Sequence, residues 1–387
     1  MHTRRNNATF TILVTAAIAL GGLAMAGVLL GLGAPGALVA GTLLAAIPVG
    51  PLVACYLWLD RYEPEPRSLL ALGLAWGAFV ATSVALVLQA ADHFATGAAL
   101  SRQGVLTAPV TEEAAKGLFI LLLLWFRRQE LDGILDGIVY AGMVGIGFAF
   151  TENIMYLTSQ YMGDGVGSAG LEGAVQLFIF RCIFSPFAHP LFTAFIGIGI
   201  GIAVGARSLL LRIAAPVVGY VIAVALHAGW NANFMLVQGP AALGTYVVVM
   251  VPAFLMVVGF ALWARGREAR VLTAALDDAA RRGLLDPAEI PWLVRLPGRR
   301  ILRRYAAKNG GPEARRAMIA YQTHAIELGY LHHRFLRGTP PSDFAELGAA
   351  HVAAMNGLRP YLLWPQRTDR NGSESVRGSM QGSGGAR

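Results

Sequence analysis

Eight apolar runs, each long enough to cross a lipid bilayer, follow one another through the first 264 residues of the chain. Crossing about 30 Å of hydrocarbon takes about 20 helical residues. The runs lie near residues 9–31, 38–59, 69–91, 105–126, 137–157, 174–205, 213–236 and 241–263. Backbone groups within lipid must be hydrogen-bonded inside their own segment, which favours helices. The sequence therefore predicts an all-α polytopic membrane protein, a bundle of about eight transmembrane helices.

The composition agrees with a membrane protein and argues against other classes. Of the 387 residues, 55% are hydrophobic and only 14% are charged, whereas soluble domains carry about 25% charged residues. The net charge of +8 would suggest nucleic acid in a soluble protein, but here the arginines flank apolar runs, so we expect the lipid bilayer and no nucleic acid as a partner.

Cys55 and Cys182 are too few for a disulfide framework and lack zinc spacing. We interpret both as buried, small apolar side chains.

The arginines between the runs alternate from one side of the membrane to the other. If the N-terminus is cytoplasmic, the inner segments hold Arg4, Arg5, Arg61, Arg67, Arg127, Arg128, Arg207, Arg212, Arg265, Arg267 and Arg270. The outer loops hold Arg102 and little else, and Arg181 lies near the outer end of the sixth run. This positive-inside pattern predicts a multi-pass protein of the cell membrane with both termini cytoplasmic. The first run exceeds the length of a signal-peptide core and a second run follows at once, so we expect a retained helix.

The sequence also predicts a break in one span and three successive regions of the chain. The sixth run is too long for a simple span and contains Pro186 and Pro190, which predict a kink. Residues 1–264 form the predicted membrane domain. The charged, helix-like sequence of 265–365 predicts a small cytoplasmic helical appendage, and the Gly/Ser-rich stretch 366–387 predicts a disordered tail.

Three ionisable residues lie close together in the fourth run: Glu112, Glu113 and Lys116. An ionisable residue at the centre of a span costs roughly 2.5–3.5 kcal/mol on insertion, and such residues usually face the bundle interior and mark function. Glu112 and Lys116 are four residues apart, so we expect them to pair on one helix face. Glu113 lies about 100° around the helix, and we expect it to point elsewhere. A purely structural ion pair would explain one glutamate but not two.

Three further spans carry polar residues: Glu152 in the fifth, His189 in the sixth, and His227 with Asn231 in the seventh. Each has an ordinary explanation by itself, as an interfacial polar group or a hydrogen-bonded packing residue. However, a rise of about 1.5 Å per residue brings Glu112, Glu152, His189 and His227 to a similar depth in the outer leaflet. A common depth on four helices predicts one shared site.

Such a site suits peptide-bond hydrolysis, which needs an activated water and a stabilised oxyanion. A carboxylate in an apolar site can act as the general base. His227 and Asn231, four apart on one helix face, can donate hydrogen bonds to the oxyanion. Alternatively, Glu152, His189 and His227 would hold a zinc ion with another glutamate as base. The chain has no HExxH motif that decides between these routes.

Four short motifs on successive spans resemble those of the PrsW family of intramembrane proteases. They are EEAAK from Glu112, FAFTEN from Phe148, HPLFT from His189 and HAGWN from His227. DRYEPEP, residues 60–66, is similar to an early loop of the same family. The similarity spans about residues 45–240. The family is grouped with the CAAX prenyl proteases and the bacteriocin-immunity membrane proteases.

The resemblance implies an intramembrane endopeptidase whose substrates are membrane-anchored proteins, a class that includes anti-sigma-factor-like proteins. The outer-leaflet depth of the polar residues is compatible with such a cut. It implies a catalytic set that comprises the water-activating Glu112, the oxyanion-binding His227 and Asn231, and also Glu113, Glu152 and His189. Phe148 and Glu152 take the positions of an FxxxE motif. The wider group has been described both as zinc-dependent and as glutamic, so the implied cofactor is either Zn²⁺ or none.

Two other classes of function stay open at this point. An ion- or proton-coupled transporter would also place Glu and His inside a helix bundle, although it would often show repeat symmetry between its halves, which the sequence lacks. A non-catalytic membrane scaffold predicts that Glu112 and His227 can be replaced without consequence.

Overall fold

A computed structural model describes residues 2–32, 35–62, 64–97, 99, 102–164, 168–236, 244, 246–338, 340–341 and 343–365, with side chains from residue 8 onward. This part of the chain is 88% helical and contains no strand. Seven of its helices are long and apolar enough to cross a membrane. The helix of the fourth predicted span, Ala108–Phe126, has 19 residues and carries Glu112, Glu113 and Lys116. The predicted all-α polytopic membrane fold is confirmed.

The chain divides into two compact units, Met1–Arg270 and Val271–Arg387. The helices of the first unit are α1 (His2–Gly31), α2 (Pro35–Ala46), α3 (Val49–Leu59), α4 (Arg67–Ala75), α5 (Thr82–Thr96), α6 (Ala108–Phe126), α7 (Ile134–Met162), α8 (Gly170–Phe178), α9 (Ala188–Gly205), α10 (Leu209–Leu236) and the start of α11 (Val251–Arg281). π-helical turns occupy Trp76–Ala81, Gln103–Thr107, Ile179–Phe184 and Tyr246–Met250. Each predicted span has a helix, and residues 241–243 and 245 of the eighth lie outside the described residues.

The sixth span is broken where its prolines predict a kink. A π-helical turn ends at Phe184, and α9 begins only at Ala188. Pro186 lies in the intervening turn, where the Phe180 carbonyl accepts hydrogen bonds from both the backbone N–H and the hydroxyl of Ser185, at 3.1 and 2.9 Å. Pro190 falls in the first turn of α9, where its missing N–H costs nothing. The break sets the direction in which α9 presents His189.

Helix α7 is the centre of the membrane unit, since most of its residues are buried and it packs against α2, α3, α4 and α9. Small residues permit this packing. A Cβ at Gly147 would lie 1.9 Å from the Leu74 carbonyl oxygen, and one at Gly145 would lie 2.7 Å from the backbone of Pro190. The close approach of α9 to α7 brings His189 beside Glu152.

Replacing Gly147 by alanine is therefore expected to destabilise the membrane unit by about 1–3 kcal/mol or more, because an added methyl group must push α4 away from α7. Gly50→Ala is the matched control, since nothing lies within 4 Å of a Cβ there. Thermal unfolding in detergent micelles measures both variants. Equal midpoints for the two variants would contradict the close packing of α4 against Gly147.

The second unit is built from the end of α11, the helices α12 (Ile290–Val294), α13 (Leu296–Leu336) and α14 (Phe344–Leu358), and 3₁₀ turns at Pro287–Glu289 and Arg359–Tyr361. Helix α13 breaks at Gly311, whose φ of +71° suits glycine, just before Pro312. A small core of Leu302, Ala306, Ala314 and Met318 joins its two halves. The helical character predicted for 265–365 is present, and the predicted disordered tail, 366–387, lies outside the described residues.

Candidate functional site

Polar side chains from four of the predicted spans meet in one buried cluster inside the membrane unit. Glu113 and Lys116 of α6 are 0% exposed, Glu112 and His189 are 6% exposed, and His227 of α10 is 1% exposed. Glu152 of α7 reaches the same cluster with a side chain that is 12% exposed. The meeting of four spans that the common depth predicts is present in the structure.

Lys116 lies at the centre of the cluster. Its Nζ donates to Glu113 Oε1 at 2.7 Å and to His189 Nδ1 at 3.1 Å, and it lies 3.8 Å from Glu112 Oε2. The ammonium also lies over the Phe148 ring, 3.9 Å from its centroid. A buried cation needs such partners, because an uncompensated charge in an apolar interior is costly. Lys116 therefore ties together residues from α6, α7 and α9.

Glu113 fixes the orientation of His227. His227 Nδ1 lies 3.0 Å from Glu113 Oε1, and an ionised carboxylate can only accept a hydrogen bond. Nδ1 is thus the protonated nitrogen of a neutral His227 ring. The remaining nitrogen, Nε2, then carries a lone pair and faces Glu112 Oε2 at 3.7 Å.

One carboxylate oxygen of Glu112 accepts a hydrogen bond, and the other has no hydrogen-bond partner among the described residues. Its Oε1 accepts from Gln89 Nε2 at 3.2 Å. Its Oε2 is buried and has no hydrogen-bond partner among the described residues. The gap of 3.7 Å to His227 Nε2 is too long for a hydrogen bond. Two acceptors that face each other across such a gap suit a small donor such as water, which would give one O–H to each.

The expected pairing within α6 is wrong in its details. Lys116 pairs closely with Glu113, three residues away, and only loosely with Glu112, four residues away. Glu113 also does not point elsewhere, because both carboxylates approach the His227 ring. The reason is that positions three and four apart on a helix are both neighbours, and long side chains overcome the separation of 100° in backbone direction.

Arg181 is a site residue that sequence reasoning missed. Its Nη2 donates to Glu152 Oε2 at 2.5 Å and its Nε to Asn153 Oδ1 at 2.7 Å. The guanidinium also stacks on the Tyr156 ring at 4.2 Å. The sequence places this residue near the outer end of the sixth span and predicts no role for it in the site. An arginine on the wrong side for the positive-inside pattern was the available signal.

The tautomer of His189 follows from its two neighbours. Lys116 can only donate, so His189 Nδ1 is the acceptor in that contact. The proton of a neutral His189 ring is then on Nε2, which donates to Glu152 Oε2 at 2.6 Å. Both ring nitrogens of His189 are therefore engaged.

The side-chain amide of Asn231 has a different partner from the one that the sequence predicts. It is predicted to share a ligand with His227, but its amide Nδ2 donates to the Gly104 carbonyl at 2.7 Å. Gly104 belongs to the π-helical turn that precedes α6, and this turn packs against α10. The amide thus joins two helices at the edge of the cluster.

The cluster carries more negative than positive charge. The carboxylates of Glu112, Glu113 and Glu152 face the cations of Lys116 and Arg181. With both histidines neutral, one negative charge is in excess. Glu113 and Glu152 each have a close cationic partner, so the excess charge belongs to Glu112. Buried charge of this kind is stabilised by a proton or by a cation.

Among the residues that the structure describes, Glu112, His189 and His227 come closest to a metal-binding set. One ligand atom from each lies within 4.8 Å of the others. The predicted zinc set has Glu152 in place of Glu112. Glu152 instead binds Arg181 and His189 Nε2.

A second buried polar group lies in the loop of residues 60–66. The Glu65 N–H donates to Asp60 Oδ2 at 2.9 Å, and the Tyr140 hydroxyl donates to Glu65 Oε2 at 2.6 Å. Burial raises the pKa of the Asp60 carboxyl to about 7. Burial, followed by the nearby charge of Asp136, also raises the pKa of the Glu65 carboxyl well above its usual range. These acids hold the loop against α7.

The raised pKa of Asp60 has a consequence for stability. Its value of about 7 in the folded protein exceeds the ordinary 3.8, so the folded state holds a proton that the unfolded state releases. Wild-type stability should fall as pH rises from about 4 to about 7, by at most about 4 kcal/mol. Asp60→Asn should remove this dependence of stability on pH. Asp277→Asn, at an exposed position, should keep it. Unfolding midpoints between pH 4 and 8 measure it, and parallel curves for wild type and Asp60→Asn would contradict it.

The chain is similar to one family of known proteins. A family profile described as "PrsW family intramembrane metalloprotease" matches residues 65–257, the part of the chain that contains the cluster. The chain is 28% identical over 158 residues to Protease PrsW of Geobacillus kaustophilus, an alignment that covers 41% of this chain and 64% of that relative. It is 30% identical over 161 residues to Protease PrsW of Clostridioides difficile, with 40% and 62% covered.

Protease PrsW of Bacillus subtilis is 29% identical over 126 residues, with 32% of this chain and 56% of that relative covered. The chain thus matches less than two thirds of the length of each of these three relatives. No solved structure matches the chain. Together with the motifs and the buried cluster that they form, the profile and the relatives assign this multi-pass membrane protein to the PrsW family.

Proposed function

We propose that this protein is an intramembrane endopeptidase of the glutamic type, which hydrolyses peptide bonds of membrane-anchored proteins with a water activated by Glu112. The observation that carries the proposal is the open Glu112 Oε2, buried and facing the lone pair of His227 Nε2 at 3.7 Å. The curated relatives are named as proteases, which supports the same reaction class. An anti-sigma-factor-like substrate rests on the resemblance of the motifs.

The reaction follows from the charges and tautomers of the cluster. A water between Glu112 and His227 gives one proton to the Glu112 carboxylate as its oxygen bonds to the carbonyl carbon of the substrate. The carbonyl oxygen becomes an oxyanion in this step. Glu112 then passes its proton to the amide nitrogen, the C–N bond breaks, and a carboxylic acid and an amine result. Glu112 starts and ends the cycle as a carboxylate.

The neighbours of Glu112 prepare it for this role. Lys116 neutralises Glu113 at 2.7 Å, and Glu113 in turn holds the His227 ring at 3.0 Å. Glu112 is left as the acid whose charge is uncompensated and whose basicity is available. His227 in its neutral tautomer accepts from water at Nε2, so it helps to orient the nucleophile. It can donate to an oxyanion only as an imidazolium.

A divalent cation fits this donor set poorly. Of the three candidate ligands, His189 has both nitrogens engaged, by Lys116 and by Glu152. The Lys116 ammonium also lies 3.8 Å from Glu112 Oε2, and a positive charge at that distance opposes a second cation. Zinc binding would need Lys116 to leave its partners. We therefore propose that the reaction proceeds without Zn²⁺.

The test uses purified protein in liposomes with a set of single-pass membrane segments as substrates. We expect wild type to cut at least one of them within its hydrophobic segment, with or without a chelator, and Glu112→Ala and His227→Ala to cut none. Loss of cleavage with chelator and its return with zinc would overturn the glutamic route. Unimpaired variants would overturn the protease itself, and ion or proton uptake by such liposomes would support a transporter.

A further inference from the structure

An apolar cavity of about 300 Å³ opens between α3 and α11, apart from the polar cluster. None of its lining residues carries a charged side chain. Leu52 and Trp58 line it from α3, and Phe254 and Leu262 line it from α11. From Phe254 to Leu262 the helix rises by about 12 Å, so the cavity is a trench that runs along the direction of the spans. We call it the α3–α11 trench.

The trench does not serve the catalytic cluster. Helix α9 contributes Pro190 and Leu191 to it. At 100° per residue, the direction midway between these two lies about 150° around the helix from His189. His189 faces Lys116 and Glu152 on the other side. A substrate segment in the trench would have the helix itself between it and Glu112, so the trench needs a different occupant.

One end of the trench is marked by a positive charge. Arg265 stacks on Trp58 with its guanidinium carbon 3.9 Å from the ring centroid, and lies 5.4 Å from the Tyr62 ring. It continues the trench-lining stripe of α11, since it falls about 20° around the helix from Phe254. Its Nε is buried without a hydrogen-bond partner in the described chain. Arg61, next to Tyr62, is exposed at the same end.

We propose that the trench binds an anionic membrane phospholipid, with one acyl chain between α3 and α11 and the phosphate on Arg265. The apolar trench matches the acyl chain of such a lipid, and the positive charge of Arg265 matches its phosphate. The uncharged trench excludes a polar ligand, and the end with Arg265 supplies an unsatisfied donor beside two aromatic rings, as is common at a membrane interface. Basic sites between transmembrane helices favour anionic headgroups.

The chain provides a reporter for occupancy. Cys55 lines the trench and is exposed, whereas Cys182 is buried. The expectation that both cysteines are buried is thus wrong for Cys55, because it faces the trench and not the bundle interior. A maleimide should label Cys55 in the empty trench and be excluded when an acyl chain fills it. Cys55→Ala gives the background labelling.

The experiment compares phosphatidylglycerol with phosphatidylcholine on the full-length protein in detergent, by native mass spectrometry and by maleimide labelling. We expect wild type to retain phosphatidylglycerol about fivefold better, which is the value of one arginine near a membrane surface, and to label more slowly with it. Arg265→Gln should lose this preference, and Arg267→Gln, the matched control at an exposed position, should keep it. Both readouts are independent of proteolysis.

Two results would overturn the lipid site. The first is the same headgroup preference in Arg265→Gln as in Arg267→Gln. The second is labelling of Cys55 that no lipid slows, or that only a peptide with a transmembrane sequence slows, since the occupant would then be a protein segment.

Discussion

Replacing Glu112 by glutamine is expected to lower the rate of peptide-bond cleavage by about 10²–10⁴-fold, the usual contribution of a general acid–base group. Glutamine keeps the length of the side chain and the acceptor for Gln89, which binds Oε1 at 3.2 Å. It cannot take the proton of water. Because the substitution also removes the excess negative charge of the cluster, the protein should unfold no more easily than wild type. Initial cleavage rates in liposomes and thermal midpoints measure the two effects.

Glu172→Gln is the matched control, since Glu172 lies in the first turn of α8, outside the cluster, and is exposed. It should cleave at the wild-type rate. A Glu112→Gln variant that is as active as Glu172→Gln would show that another group takes the proton.

Replacing Lys116 by methionine is expected to destabilise the membrane unit by about 3–5 kcal/mol, the cost of removing one partner of a buried ion pair. The ammonium is 0% exposed and contacts both Glu113 and His189. Without it, the cluster holds two excess negative charges and His189 Nδ1 loses its donor. Unfolding in detergent micelles measures the loss.

The double variant Lys116→Met with Glu113→Gln distinguishes charge from packing. It removes both partners, so it should recover most of the stability that Lys116→Met loses. Glu113→Gln alone should cost less than Lys116→Met, because Glu112 at 3.8 Å remains as a partner for the lysine. Arg316→Gln, in an exposed pair with Glu313, should change stability by less than about 1 kcal/mol. Additive losses in the double variant would contradict the ion pair.

The spans and their order follow from the sequence because length and apolarity are sufficient to define a membrane helix. The break at Pro186 also follows, since proline removes a backbone donor. The meeting of Glu152, His189 and His227 could be anticipated from depth along each helix. The depth of a residue along a helix follows from its residue number, because the helical rise per residue is constant.

The contacts inside the cluster could not be predicted, because they depend on how each helix is rotated. Lys116 lies within reach of two glutamates by spacing alone, and the sequence does not decide between them. Arg181 reaches Glu152 only because the π-helical turn Ile179–Phe184 redirects it. Asn231 turns to the Gly104 carbonyl because a second such turn approaches α10. Extra residues in π-helical turns shift side-chain direction without leaving a pattern in the sequence.

The most direct test of metal-free hydrolysis by a water that Glu112 activates is mass spectrometry of substrate cut in ¹⁸O-labelled water by metal-depleted protein in liposomes. We expect a cut within the hydrophobic segment, one ¹⁸O atom in the new carboxyl terminus, and no cut product with Glu112→Gln. Cleavage that requires added zinc, or equal amounts of cut product from wild type and Glu112→Gln, would contradict it.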